Sequence, residues 1–186
     1  MEELSSGKYV IVYLIKGKAK EYYKNLADKI YKKFEVYRFL DSIDTHITLK
    51  YFNILLNDKQ VKKIEGVLED FCKTHKKAKL KLKDIGHFDN RVIFIDVEPS
   101  KEMNLLYKDL VKELERLKWI SWHEYEKENI HFHFTLAEKD IESKFGEIFS
   151  YAKKENPEFE LELDNLCILT KPKDKWILHK EFLLKD

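Results

Sequence analysis

The chain has 186 residues, a length that fits one domain, and its 44% hydrophobic and 13% aromatic residues exclude an intrinsically disordered chain. The formal net charge of +1 gives no argument for steering toward nucleic acid, so an anionic ligand has to be captured locally. Cys72 and Cys167 lie far apart and neither belongs to a C-x-x-C pair, which argues against a zinc ribbon or a disulfide framework.

No apolar stretch approaches the length of a membrane span, and the N-terminus carries Glu2 and Glu3 rather than the positive charge of a signal peptide. We therefore expect a cytoplasmic protein that is neither secreted nor embedded in a membrane. We also expect it to be a monomer.

The first half of the chain alternates between strand-like and helix-like hydrophobic patterns. Short β-branched and aromatic runs predict strands, and apolar residues at a spacing of three and four predict helices. The predicted elements are a strand at 9–15, a helix at 18–34, a strand at 45–52, and a helix that is capped by Asn57 or Asp58 and includes Val61, Ile64, Leu68 and Phe71.

The second half begins with a predicted β-hairpin of strands 78–85 and 91–97, joined by a turn at Asp89 and Asn90. The lysines in 73–83 alternate with apolar residues, which favours a soluble edge strand over a track for an RNA backbone. The remaining predicted elements are a helix opened by Pro99 and Ser100, a strand at 130–137, a helix capped by Asp140, a link containing Pro157, and strands at 159–170 and 176–184.

This order, β-α-β-α-β-β-α-β-α-β-β, predicts one α+β domain over residues 1–186 with largely antiparallel sheets. Two of its strands contain nearly the same segment, His46-Ile47-Thr48-Leu49 and His133-Phe134-Thr135-Leu136. Alternate side chains of a strand share a face, so each histidine projects on the side of its threonine. The repeat predicts a site built by two related halves.

Two histidines and two hydroxyls suit attack at a phosphodiester. A neutral imidazole takes a proton from the incoming water or hydroxyl, and a protonated imidazole gives one to the leaving oxygen. The hydroxyls of Thr48 and Thr135 are placed to donate to the non-bridging oxygens, where charge develops. Such a site needs no metal and no other cofactor. We therefore assign His46 and His133 as catalytic, with the two threonines binding the substrate phosphate.

With these motifs the chain resembles the two-histidine (2H) phosphoesterases, in particular the 2'-5' RNA ligase-like proteins, also called RNA 2',3'-cyclic phosphodiesterases. The resemblance covers nearly the whole chain and includes Gly86-His87-Phe88, Arg91-Val92-Ile93-Phe94, and the C-terminal segment from Trp176 to Phe182-Leu183-Leu184. It implies a bilobed, pseudo-two-fold fold, with two largely antiparallel sheets lining a central cleft and helices outside.

The resemblance further implies hydrolysis of the 2',3'-cyclic phosphate of an RNA end or nucleotide to a 2'-phosphate, with reversible 2'-5' ligation in some members. The implied partner is an RNA terminus or nucleotide that carries a cyclic phosphate or a 2'-5' linkage. By analogy His46 is the acid and His133 the base. The sequence departs from the family pattern at Glu138, where many relatives have arginine.

Five further residues are possible substrate-binding groups. His131 and Lys50 share strand faces with the motif residues; the alternatives are that His131 tunes His133 or ends the strand, and that Lys50 is solvated. Tyr9 and Tyr13 offer rings to a base or pack in the core, and Arg91 offers a cation to a phosphate or forms a structural ion pair. No role is assigned to the other histidines, His75, His87, His123 and His179. Two other functions stay open: a non-catalytic nucleotide- or RNA-binding module that uses the same cleft, and a zinc hydrolase that uses His131 and His133.

Overall fold

The computed structural model describes residues 6–155 and 158–186, so the predictions that concern Glu2, Glu3 and Pro157 lie outside the described residues. The helices within these ranges are α1 (Gly17–Phe34), α2 (Asp58–Thr74), α3 (Lys101–Glu115) and α4 (Phe145–Glu155). The strands are β1 (Ser6–Gly7), β2 (Tyr9–Leu14), β3 (His46–Tyr51), β4 (Leu56–Asn57), β5 (Ala78–Phe88), β6 (Val92–Pro99), β7 (His133–Glu138), β8 (Phe159–Leu163), β9 (Asn165–Thr170) and β10 (Ile177–Leu183).

Two four-stranded antiparallel sheets form the body of the fold. One has the strand order β10-β9-β2-β3 and the other the order β7-β6-β5-β8. The motif strands β3 and β7 are edge strands of their sheets, and they contact each other. The expected α+β, two-lobed architecture is confirmed, and it brings both His-x-Thr segments to the junction between the sheets.

The two motif strands are built alike. His46 pairs with Leu14 and Thr48 with Val12, while His133 pairs with Asp96 and Thr135 with Phe94. In both strands the register shifts immediately after the threonine, which leaves Leu49 and Leu136 without a paired residue. A bulge of this kind turns the following residue and increases the local twist. The pseudo-two-fold therefore extends to the irregularity of each motif strand.

One continuous cluster of buried apolar side chains lies under both sheets. A direct polar link joins the sheets as well, because the hydroxyl of buried Tyr13 on β2 donates to the carbonyl oxygen of Glu162 on β8 at 2.9 Å. The helices cover the outer side, with α2 against β10, α3 against β5, and α1 against β7 and α4. No helix in the described parts of the chain is long and apolar enough to cross a membrane.

The helix starts follow local capping chemistry. The Asn57 side chain accepts from the Gln60 amide and the Gln60 side chain accepts from the Asn57 amide, both at 3.0 Å, so Asn57 rather than Asp58 is the cap of α2. The Ser100 hydroxyl caps α3. The prediction of an Asp140 cap is wrong. Asp140 has φ 54°, and a 3-10 turn at Glu142–Lys144 precedes α4.

The predicted strand at 159–170 is two strands that belong to different sheets. β8 pairs with β5, and β9 pairs with β2 and β10, so the chain crosses between the lobes at Asp164. The buried side chain of Asn165 stabilises the crossing, since its amide group bonds both the amide and the carbonyl of Leu14 at 3.0 and 3.1 Å. Local hydrophobic periodicity carries no signal for such a change of partner.

The lysine-rich strand β5 is not an edge strand, because it pairs with β6 on one side and β8 on the other. Its lysines face carboxylates on both neighbours: Lys81 lies 3.2 Å from Glu160, and Lys83 forms an ion pair with Glu98. Cross-strand pairs of opposite charge stabilise the pairing of β5 with both neighbours. The edge-strand interpretation is therefore corrected.

Candidate active site

His46 lies at the start of β3 and is 8% exposed. Its Nδ1 is 2.7 Å from the carbonyl oxygen of Asp44. A carbonyl accepts only, so Nδ1 carries the proton and Nε2 is left for a ligand. The pKa of His46 is lowered to about 4, mainly by burial and also by the nearby charge of His133, while the hydrogen bond and charge of Asp44 oppose the shift.

His133 at the start of β7 is held in the same manner. Its Nδ1 is 2.7 Å from the carbonyl oxygen of His131, and its Nε2 has no hydrogen-bond partner among the described residues. Phe88 and Phe94 pack against its ring, with centroid distances of 5.0 and 5.1 Å. Partial burial is the main cause of a lowered pKa for His133, to which the charge of His131 adds. Both imidazoles thus have the same tautomer and the same bias toward the neutral form.

Thr48 and Thr135 are half-buried and lie two residues after their histidines. A pocket of about 350 Å³ brings Thr48 together with His131 and His133. His46 and Thr135 do not line this pocket, although their strands β3 and β7 contact each other. The pocket offers the His133 imidazole and the Thr48 hydroxyl, groups that suit proton transfer and hydrogen bonding at an anionic centre.

Comparisons with known proteins identify the family of this chain. The profile described as "2'-5' RNA ligase superfamily" matches residues 26–175, which is more than half of the chain. The chain belongs to the 2'-5' RNA ligase superfamily. The resemblance to the 2H phosphoesterases stated from the two motifs is thereby confirmed.

Solved structures share the fold. A structure of Escherichia coli LigT complexed with 3'-AMP is 13% identical, with a TM-score of 0.68 over 97% of this chain and 99% of that chain. The structure of TT0787 from Thermus thermophilus is 16% identical, with a TM-score of 0.63 over 96% of this chain and 98% of that chain. A further structure, titled only as a phosphoesterase, is 12% identical with a TM-score of 0.65, and it covers 98% of this chain and 100% of that chain.

In this superfamily member, His131 lies outside the motif strand, which begins at His133 and not at residue 130 as predicted. The His131 Nε2 atom is 2.9 Å from Asp96 Oδ1, and its ring packs on Phe88 and Phe94. The side chain lines the pocket, while its carbonyl oxygen fixes His133. His131 therefore contacts the candidate site through both its backbone and its ring.

Lys50 does not offer a free charge to the pocket. Its side chain is 1% exposed, and its ammonium group donates to both carboxylate oxygens of Glu126 at 2.9 and 2.7 Å. The shift of register after Thr48 explains why strand parity places Lys50 wrongly, since alternation fails across a bulge.

The other possible substrate-binding residues do not line the pocket. Tyr13 is buried in the link between the sheets, and burial raises the pKa of its hydroxyl. Tyr9 packs on the ring of His179, at 5.8 Å between centroids. Arg91 is exposed and lies 2.7 Å from Asp89. The structure therefore places Tyr9, Tyr13 and Arg91 in contacts outside this pocket.

Glu138, where the family pattern has arginine, lies at the far end of β7. It pairs with Val92, five residues from His133, or roughly 16 Å along an extended strand. Burial raises the pKa of its carboxyl group. The acidic residue is thus separated from the histidine nitrogens by most of the strand.

Sequence reasoning missed one wall of the pocket. The wall is formed by His123, Tyr125, Glu126 and Ile130 from the connection between α3 and β7, with Tyr51 and Asn53 after the first motif. The cluster Trp122-His123-Glu124-Tyr125-Glu126 just before the second motif was the available signal.

Within residues 6–155 and 158–186, no group of three or more histidine, cysteine, aspartate and glutamate side chains converges in a metal-binding arrangement.

Proposed function

We propose that this chain is a phosphodiesterase that opens the 2',3'-cyclic phosphate of an RNA end or nucleotide to a 2'-phosphate without a metal ion. The observation that carries the proposal is the pair of equivalent histidines, each with Nδ1 bonded to a backbone carbonyl and Nε2 free. The whole chain, with its two lobes, is proposed to work as one catalytic unit.

In the proposed reaction, one imidazole takes a proton from water while the water oxygen attacks phosphorus. The bond from phosphorus to the 3'-oxygen breaks, and the other imidazole, protonated, gives its proton to that oxygen. The product carries a 2'-phosphate and a 3'-hydroxyl. Hydroxyl groups of Thr48 and Thr135 donate to the non-bridging oxygens as charge develops on them. The same steps with the 5'-hydroxyl of a second RNA end in place of water yield a 2'-5' linkage, and their reversal restores the cyclic phosphate.

The substrate class is supported by superfamily membership and by the nucleotides complexed with Escherichia coli LigT in its solved structures, 3'-AMP, NADP+ and ATP. The pocket beside His133 has exposed aromatic side chains, which suit a nucleoside next to the reacting phosphate. A phosphate monoester hydrolase without base recognition would have no use for this wall.

The test compares three substrates in excess chelator: 2',3'-cyclic AMP, RNA ending in a cyclic phosphate, and 2'-5' linked oligoadenylate. We expect ring opening with a 2'-phosphate product, identified by chromatography against both monophosphate standards. Tight binding without turnover would establish a binding module instead. Activity that disappears with chelator and returns with zinc would establish the zinc hydrolase.

A further inference from the structure

Lys50 is a fully buried cation that the proposed chemistry does not use. Besides its two bonds to Glu126, its ammonium donates to the carbonyl oxygen of Ser121 at 2.8 Å and lies 4.4 Å from the centroid of the Trp122 ring. The three acceptors of the ammonium group therefore all belong to the connection between α3 and β7. Burying a lysine to this extent is costly unless the partners are fixed.

Glu126 bonds the same connection to strand β3. It is 12% exposed at its side chain, and its carboxylate also accepts from the backbone amides of His123 at 2.7 Å and Tyr51 at 3.4 Å. Lys50 and Glu126 thus join the first motif strand to the segment 121–126. The segment continues to His131, whose carbonyl oxygen holds His133.

The anchored segment presents aromatic rings to the pocket. Tyr125 is 69% exposed, and its ring lies 5.0 Å from that of His123, while Tyr51, also exposed, lines the same pocket. Exposed aromatic rings next to a phosphate site are suited to stacking with a nucleobase. A stacked base costs less to bind when the rings are already held in place.

The second motif strand has an alanine at the position of this lysine. Ala137 occupies the position in β7 that Lys50 has in β3, directly after the unpaired leucine. Since the two strands otherwise repeat each other, the lysine marks a function of the first lobe alone.

We infer that Lys50 and Glu126 are positioning residues that hold His123 and Tyr125 as the wall on which the substrate's nucleoside packs. The inference rests on the proposed function and adds a specificity element to it. The ion pair acts on binding of the base and not on the reacting phosphate.

The experiment measures kcat and KM with 2',3'-cyclic AMP and with a base-free substrate, methyl riboside 2,3-cyclic phosphate. The variants are Lys50→Met, Lys50→Met/Glu126→Gln, and Tyr125→Ala, with Tyr31→Ala as the control because Tyr31 is exposed outside the pocket. The double variant avoids a buried, unpaired Glu126 if Lys50→Met alone does not fold.

We expect all three test variants to raise KM for cyclic AMP about tenfold, with kcat within about threefold, since one base stack is lost. The base-free substrate and the control should show unchanged constants. The inference is overturned if KM for cyclic AMP does not change, or if the base-free substrate loses the same factor. If wild type opens neither substrate, the proposed function fails, and the dissociation constant of 2'-AMP decides the inference: Tyr125→Ala must weaken it about tenfold relative to Tyr31→Ala.

Discussion

His46 and His133 are fixed by the same hydrogen bond, from Nδ1 to the carbonyl oxygen of the residue two positions earlier, 2.7 Å long in both cases. The bond sets one tautomer in each lobe and leaves both Nε2 atoms for a ligand. In the proposed mechanism, the protonated imidazole is the acid and the neutral one is the base. The surroundings of each ring set its pKa, and the two pKa values set the pH range in which only one ring is protonated.

The pH dependence of kcat/KM follows from these surroundings. In the proposed mechanism the reactive protein carries one proton on the pair, so activity is confined between the lower pKa, about 4 for His46, and the pKa of His133, which is lowered from 6.5. These pKa values predict that the proton resides on His133, which makes His133 the acid and His46 the base, the reverse of the assignment by analogy. We expect a bell-shaped profile of kcat/KM with its maximum on the acid side of 6.5. A maximum on the alkaline side would contradict it.

The variant His131→Gln tests the cause of the upper limb. The charge of His131 lowers the pKa of His133, and the charge of Asp96 raises it. Replacing His131 removes the lowering charge and frees Asp96 from its bond to His131, so both effects raise the pKa of His133. We expect the alkaline limb to move to higher pH with activity retained. Complete loss of activity would instead indicate that His131 is a ligand or a reacting group.

Stability in acid should also depend on His46. Its pKa in the folded protein is about 4 against an ordinary 6.5, so the unfolded chain binds more protons between these values, and stability is lost as the pH falls through that window. The lowered pKa corresponds to a loss of up to about 3 kcal/mol of unfolding free energy. Urea unfolding of wild type and His46→Gln across this range should show a smaller loss in the variant. Parallel curves would contradict the assignment.

Gly86 leaves space for the Phe94 ring, which packs against His133. A Cβ atom at Gly86 would lie 2.4 Å from the Phe94 ring, and Phe94 packs against His133. We expect Gly86→Ala to displace Phe94 and to lower both the melting temperature and kcat.

Gly66→Ala is the matched control, because Gly66 lies inside α2 with nothing within 4 Å of the added Cβ atom. It should be neutral or stabilise the protein by about 1 kcal/mol. Equal changes of melting temperature and kcat in the two variants would contradict a role for the contact between Gly86 and Phe94.

Tyr23 is fully buried, and its hydroxyl has no hydrogen-bond partner among the described residues. An unpaired buried polar atom costs about 1 kcal/mol or more. We therefore expect Tyr23→Phe to raise the free energy of unfolding by about 1 kcal/mol, measured by denaturant titration. A destabilised variant would show that the hydroxyl has a partner.

The sequence was informative where the signal is local. Strand parity and the repeated His-x-Thr segments predicted both motif strands, and capping rules predicted the starts of α2 and α3. It failed where pairing partners decide the structure. The break at Asp164, the interior position of β5 and the burial of Lys50 after the bulge all depend on neighbours distant in sequence.

The candidate site divides in the same manner. The four motif residues lie on the strands that meet at the junction of the sheets. His123 and Tyr125 belong to no repeated motif, and their place in the pocket depends on the contact between Glu126 and Lys50, which are distant in sequence. Tyr9, Tyr13 and Arg91 have structural contacts elsewhere.

The most direct test of catalysis by the two histidines is the rate of 2',3'-cyclic AMP opening, in excess chelator, by wild type, His46→Ala and His133→Ala, with circular dichroism as the control for folding. Removing a general acid or base should lower kcat by about 100-fold or more in each variant, since such catalysis contributes that much. Either folded variant turning over at the wild-type rate would contradict the proposal.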